Sequence, residues 1–226
     1  VIAERFKSIF SRPSSGDPAR PRFSPLGRRE VEGPEVVTRH SAGLEQFLLY
    51  IRDEAGLTLL DLGGANQENI SYITNLGHRL ASEDPIRSLR QGRDDIPSEP
   101  FHPSEIDAFL DEHLNYPPGH FDGVLLWDVL EYLEPRLLNA VMDRLFQILK
   151  PSSCLLGLFR AQEKAYRSPF YSFRIHDAHT LTLVRRGMLT PVQVFNNRNL
   201  ERLFHNYDSI KFFLSRDGLR DVLVRR

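Results

Sequence analysis

From Ser41 onward the apolar positions switch repeatedly between two spacings. Leu44, Phe47, Leu48 and Ile51 recur three or four residues apart, as on one face of a helix. Gly56 ends that pattern, and the apolar run Leu57 to Leu62 is predicted as a strand. Asn66 or Asn69 can cap a helix running toward Leu76, Gly77 stops it, and His78 to Ser82 is predicted as a second short strand ending in Glu83 and Asp84. This is the βαβ unit that a parallel crossover requires. A polar stretch, 85–102, holds Pro85, Pro97 and Pro100, after which Ser104 is predicted to cap a helix carrying Ile106, Phe109, Leu110 and Leu114.

Gly123 to Trp127 is a continuous apolar run closed by Asp128, the pattern of a strand buried on both faces. Pro135 opens a helix with Leu137, Leu138, Val141, Leu145 and Ile148 facing inward; Lys150-Pro151 breaks it, and Cys154 to Phe159 is the next predicted strand. Residues 160–195 read as an insertion with some strand content, and Arg198 to Phe204 as a short helix. Ile210 to Leu214 and Leu219 to Val224 are predicted as strands joined through Asp217-Gly218, a pair that favours a hairpin. Alternating β and α elements predict an α/β protein with a doubly wound sheet.

Residues 1–40 differ in kind, with Pro13, Pro18, Pro21, Pro25 and Pro34 set among arginines and serines. They are predicted as a basic extension, preceding a domain at 41–226. Within it Ile2, Phe6, Ile9 and Phe10 share a helical face that either docks on a partner or lipid surface or packs on its own domain. The 226 residues are 41% hydrophobic and 26% charged, with a formal net charge of -1, which gives no overall attraction to nucleic acid. Cys154 is the only cysteine, so no internal disulfide forms, and its apolar setting suits a packing thiol. No apolar run has the length of a membrane helix, and the first residues lack a signal-peptide core, so a soluble cytoplasmic protein is expected.

The candidate chemistry begins at LLDLGGANQEN, Leu59 to Asn69. A loop between a parallel strand and the next helix lies at the carboxyl edge of the sheet, where glycines let a ligand approach the backbone. Gly63 and Gly64 stand there. No Gly-Lys-Ser/Thr follows, which excludes a P-loop, and Ala65, Asn66 and Gln67 omit the glycines of a dinucleotide fingerprint.

Asp61 and Gly63 make the chain resemble the class I S-adenosylmethionine-dependent methyltransferases, whose first motif is Asp-x-Gly-x-Gly-x-Gly after a strand. Ala65 and Gln67 stand where the later glycines would be. Glu83, with Asp84 beside it, is placed like the acidic residue that the family uses for the ribose hydroxyls. FDGVLLWDVLEYL looks like the fourth motif, LFQILKPSSCLLGLF is similar to the helix, turn and fifth strand, and the closing hairpin fits strands six and seven. A third strand has only Leu114 to Tyr116 as a candidate. The resemblance covers about residues 44–226. It implies a Rossmann-like sheet of about seven strands, mostly parallel with an antiparallel C-terminal strand. It also implies S-adenosylmethionine as cofactor, met by Asp61, Gly63, Gly64, Ala65, Asn66, Glu83, Asp84 and Trp127.

At the mouth of the fourth-motif strand, Asp128 is the expected residue near the reacting group, orienting or deprotonating a substrate amine or hydroxyl beside Trp127, Glu131 and Tyr132. The alternative is that it caps the next turn. Asn66 and Gln67 either bond the cofactor's amino-acid portion or cap their helix. No Asn/Asp-Pro-Pro-Tyr/Phe and no cysteine stand at this place, which argues against methylation of DNA amino groups or of base C5. Tyr171, Arg174 and His176 are expected in a substrate lid overhanging the carboxyl edge, and Arg185, Arg186 and Arg198 are either anion ligands or solvated surface. His176 and His179 have metal spacing but no evident third ligand, so no metal is expected. The expected partner is a small-molecule substrate. The alternative is a methyltransferase-like binding or scaffolding protein without turnover; a nicotinamide-dependent oxidoreductase is disfavoured by the missing fingerprint.

Overall fold

The computed structural model describes residues 35–226 apart from 92, 98, 162 and 163; the helix face of Ile2, Phe6, Ile9 and Phe10 lies outside the described residues. Strand β1 (Val36–His40) leads into α1 (Ala42–Arg52), capped by Ser41, whose Oγ accepts from Leu44 N at 3.1 Å. Then come β2 (Thr58–Asp61), α2 (Gln67–Asn75), β3 (Arg79–Ser82), α3 (Pro85–Arg90) and α4 (Pro103–His113). Strand β4 (Phe121–Trp127) passes through a single 3-10 turn, Val129–Tyr132, into α5 (Pro135–Ile148). The chain closes with β5 (Leu149–Arg160), β6 (Ser168–Ile175), β7 (Thr180–Leu189), α6 (Asn197–Leu203), β8 (Ser209–Leu214) and β9 (Leu219–Arg225).

The main sheet has the order β3-β2-β4-β5-β9-β8. Strands β3, β2, β4 and β5 are parallel, and β9 runs against both β5 and β8. This is the expected α/β architecture, with six strands in the main sheet among the described residues. The candidate third strand at Leu114 to Tyr116 is loop. Pro117 and Pro118 follow it directly, and without N–H groups they cannot extend a ladder.

Strands buried on both faces divide their side chains between two cores. Leu60, Leu62, Val124, Leu126 and Leu155 pack with α4 and α5, while Leu59, Leu125, Leu156 and Leu158 pack with α1. The second core is closed by a three-stranded antiparallel sheet, β1-β7-β6, which contributes Phe173, Ile175, Leu181 and Leu183. The insertion is thus a hairpin docked on the domain, and its third strand lies before the expected start of the domain at residue 41. Asp221 on β9 fastens β1 and α1: its carboxylate accepts from Arg39 Nη1 at 2.8 Å, Ser41 Oγ at 2.7 Å and Gly43 N at 3.0 Å.

Two helix starts differ from expectation for local reasons. Helix α4 begins at Pro103 under a cap from His102, whose own N–H donates to Glu105 Oε2 at 2.7 Å, so the cap falls two residues before Ser104. Helix α3 lies in the polar stretch 85–102, for which no element was predicted, opened by Asp84 and Pro85, a cap and first-turn pair hidden by the surrounding polar residues. Among the described residues no helix is long and apolar enough to cross a membrane.

Candidate functional site

The chain leaves β2 for β3 on one side and returns to β4 on the other, so the sheet order reverses between β2 and β4. A crevice outside the carboxyl ends of two such strands is where open α/β sheets bind ligands. Asp61 closes β2 there and Trp127 closes β4.

Asp61 is fully buried. Its Oδ1 accepts from Gly63 N at 2.8 Å and Trp127 Nε1 at 2.6 Å, and its Oδ2 accepts from Asn69 Nδ2 at 2.8 Å. Burial raises its pKa above the ordinary carboxylate value, against the pull of those three donors. Trp127 has φ 51, and its ring stacks on Phe173 with centroids 5.4 Å apart and planes 10° from parallel. The indole lies on Gly63 so closely that a Cβ there would meet Trp127 Cδ1 at 2.6 Å. Gly64 has φ 83, and a Cβ on it would meet Asp84 Oδ2 at 2.9 Å. Both glycines are therefore required by the protein's own packing.

The residues after the glycines face inward only in part. Asn66 caps α2, its Oδ1 accepting from Asn69 N at 2.8 Å, and Gln67 Nε2 donates to Ser71 Oγ at 2.9 Å, so both amides are engaged with their own helix; Ala65 is exposed. Asn69 reaches furthest. Its Oδ1 accepts from Ile175 N at 2.7 Å and its Nδ2 donates to Phe173 O at 3.0 Å, so its amide acts as one more peptide unit along β6.

The acidic pair after β3 is also engaged. Glu83 accepts from Tyr116 Oη at 2.8 Å and lies 3.2 Å from His113 Nδ1. Burial, then Glu83 itself, pushes the Tyr116 hydroxyl up to about 12. Asp84 caps α3, accepting from Arg87 N at 3.1 Å, and pairs with Arg186 Nη2 at 2.6 Å.

Asp128 is 5% exposed. Its side chain does not cap the turn that follows. Arg160 Nη2 donates to Asp128 Oδ2 at 3.2 Å, to Tyr132 Oη at 2.8 Å and to the Pro169 carbonyl at 3.1 Å, while Arg160 Nη1 pairs with Glu131. Glu131 also accepts from Arg160 N at 2.6 Å. Asp128 and Tyr132 thus stand in a buried ionic cluster joining β4, β5 and β6. Burial pushes Glu131 up to about 7 and also raises Asp128, with Arg160 opposing both. Tyr171 is half-buried on β6, and His176 and His179 are exposed at the turn joining β6 to β7.

The structure therefore gathers Asp61, Gly63, Gly64, Asp84 and Trp127 at the carboxyl ends of β2, β3 and β4 and draws Asp128 and Tyr132 into a separate cluster. Sequence reasoning missed the second role of Asn69, Phe173 as the cover of Trp127, the Tyr116 and His113 partners of Glu83, and Arg160. Only Arg160 carried a signal, a cation directly after the apolar run Cys154 to Phe159. In this conformation the indole covers Gly63, Asp84 lies against Gly64, and the polar atoms of Asp61 all have protein partners.

A family model described as a methyltransferase domain matches residues 37–208. No curated protein sequence matches the chain. Among solved structures, the chain is similar to the 1,6-didemethyltoxoflavin-N1-methyltransferase of Burkholderia thailandensis, determined with 1,6-didemethyltoxoflavin and S-adenosylhomocysteine (14% identity, 82% of this chain, 79% of that one, TM-score 0.44). It is also similar to an S-adenosylmethionine-dependent methyltransferase of Archaeoglobus fulgidus (12%, 82% and 92%, TM-score 0.45). A third is the glycopeptide N-methyltransferase MtfA in complex with S-adenosylmethionine (10%, 82% and 94%, TM-score 0.45).

Proposed function

The chain belongs to the methyltransferase-domain family of S-adenosylmethionine-dependent enzymes, and from that premise we propose that it methylates a small-molecule acceptor, from a crevice that Trp127 closes in the conformation described here. The observation that carries this reading is the position of the indole. It fills a slot between Gly63 and Phe173 at the switch point of the sheet, where a ligand of an open α/β sheet belongs.

The slot can open in two ways. Peeling off β6 and β7 exposes Phe173, Ile175, Leu181 and Leu183, at roughly 1.5–3 kcal/mol each, or on the order of 6–12 kcal/mol together. Rotating Trp127 alone gives up one hydrogen bond, about 1.5–3 kcal/mol for a charged acceptor, and one aromatic stack, about 0.5–1.5 kcal/mol. Exposing the indole, which is 1% exposed, adds up to about 4–6 kcal/mol, so the two movements are comparable in cost; rotating Trp127 moves one side chain rather than two strands, and in this reading the small sheet stays docked and the indole acts as the gate. In this reading Asp61 keeps the glycine turn in shape, Glu83 faces the ribose, and Asp128 with Arg160 holds the wall of the crevice without touching a substrate.

Calorimetry with S-adenosylhomocysteine on the folded protein tests the reading, and binding is expected. A second reading, a methyltransferase-like binding protein without turnover, is favoured by the complete internal bonding of Asp61, which leaves the closed form self-sufficient. Absence of binding at millimolar ligand selects it.

A further inference from the structure

We propose that the notch between α3 and β7 binds a phosphate-bearing small molecule through Arg87, Arg90 and Arg186. These three side chains line one open notch together with Ser88 and Glu112. Two of them lie on the same ring: the guanidinium carbons of Arg90 and Arg186 stand 5.5 and 5.3 Å from the centroid of Phe170, which is itself buried. A guanidinium resting on an aromatic face is held through its own flat surface and keeps its in-plane N–H groups for an anion. Arg90 is fixed further by donating its Nε to the Arg93 carbonyl at 3.2 Å.

The charges around the notch do not cancel. Asp84 pairs with Arg186, and Glu112 accepts from Ser88 Oγ at 3.1 Å; these two carboxylates face three cations. Arg185, the neighbour on β7, is paired with Glu35 at 3.1 Å. Arg90 and Arg186 both line the notch, and an anion there is attracted by both charges. Three donor forks suit the three acceptor oxygens of a phosphate better than the two oxygens of one planar carboxylate.

The notch adjoins the glycine turn, because Ile86 and Arg87 follow Glu83 and Asp84 after Pro85 alone. Asp84 Oδ2 both holds Arg186 and lies against Gly64. A phosphate that draws Arg186 into the notch releases Asp84 from the glycine turn, so the two sites are coupled. That coupling rests on the proposed function; binding in the notch does not.

Pyrophosphate is the probe, titrated into the whole protein by calorimetry and by NMR of the arginine Nε–Hε groups. Dissociation in the millimolar range or tighter is expected, with Arg90→Gln and Arg186→Gln each weakening it at least ~10-fold. Citrate is expected to bind at least ~10-fold more weakly than pyrophosphate. No binding to folded protein at ~10 mM, binding that neither substitution changes, or citrate binding as tightly as pyrophosphate overturns the proposal. Arg87→Gln, on an exposed side chain, serves as a third variant should the others melt early. S-adenosylhomocysteine calorimetry on the same samples separates the two ideas: pyrophosphate binding without it contradicts the proposed function alone, and the reverse contradicts the notch alone.

Discussion

Trp127 Nε1 donates to Asp61 Oδ1 at 2.6 Å, joining the carboxyl ends of two adjacent parallel strands through their side chains. The backbone of Trp127 is left-handed there, φ 51, which costs a bulky residue roughly 1–3 kcal/mol. The hydrogen bond and the stack on Phe173 offset that strain. If the indole is a gate, removing it moves stability and ligand affinity in opposite directions. Trp127→Ala is expected to lower stability by about 2–5 kcal/mol, read from the urea midpoint, and to tighten S-adenosylhomocysteine binding at least ~10-fold because the closed state no longer competes. A loss of both would mark Trp127 as ordinary core.

The cluster around Arg160 sets a pH dependence. One guanidinium serves two buried carboxyls, and Glu131 is pushed up to about 7 from an ordinary value of 4.5. A carboxyl whose folded value is raised takes up a proton on folding between the two values. The contribution of this group to stability therefore falls as pH rises from about 4.5 to about 7, with no further loss from it above that window. Glu131→Gln removes the titration, and its urea midpoint is expected to vary less than that of the wild type between about pH 5 and about pH 8. A difference between wild-type and Glu131→Gln midpoints that does not fall across this range would contradict the assignment.

Removing the cation is the harsher change. Arg160→Met leaves Asp128 and Glu131 buried without a partner, and a loss of about 3–5 kcal/mol is expected at neutral pH. Replacing both carboxyls with amides in the same protein should recover part of that loss, since the uncompensated charge rather than the missing contact dominates. A triple variant no more stable than Arg160→Met argues that packing of the guanidinium matters more.

Asn69 gives a local test. With its amide gone in Asn69→Ala, Ile175 N–H and Phe173 C=O lose their partner, and Asp61 loses one of three donors. Amide exchange at Ile175 is expected to accelerate by at least ~10-fold beyond the global change in stability, about 1.4 kcal/mol of local opening. Equal acceleration at Ile175 and in the β4 core would show that Asn69 does not latch β6 separately.

The parts of the fold legible in the sequence were those fixed by neighbours in the chain. The helix face of Leu44, Phe47, Leu48 and Ile51, the Asn66 cap and the Gly77 stop come from local rules, and so does the hairpin at Asp217-Gly218. Strand β1 was not legible because its partner, β7, begins 140 residues later, and its Val-Val-Thr run sits beside prolines. The site shows the same division. Asp61 and Gly63 mark the turn, but the reason Gly63 must be glycine is the indole of Trp127, brought by a strand pairing that sequence spacing does not show. The partner of Asp128 was not legible, because a lone acid at a strand mouth looks alike whether a substrate or a buried arginine awaits it, and Arg160 stands 32 residues on.

Trp127 is the only tryptophan in the chain, so its emission reports on the slot alone. The central measurement is a fluorescence titration of the wild-type protein with S-adenosylhomocysteine, its folding verified by a cooperative melt. A saturable change in emission is expected as the indole leaves Phe173 and Asp61 for a new environment. Binding detected by calorimetry with Trp127 emission unchanged, or no change at millimolar ligand, would contradict it.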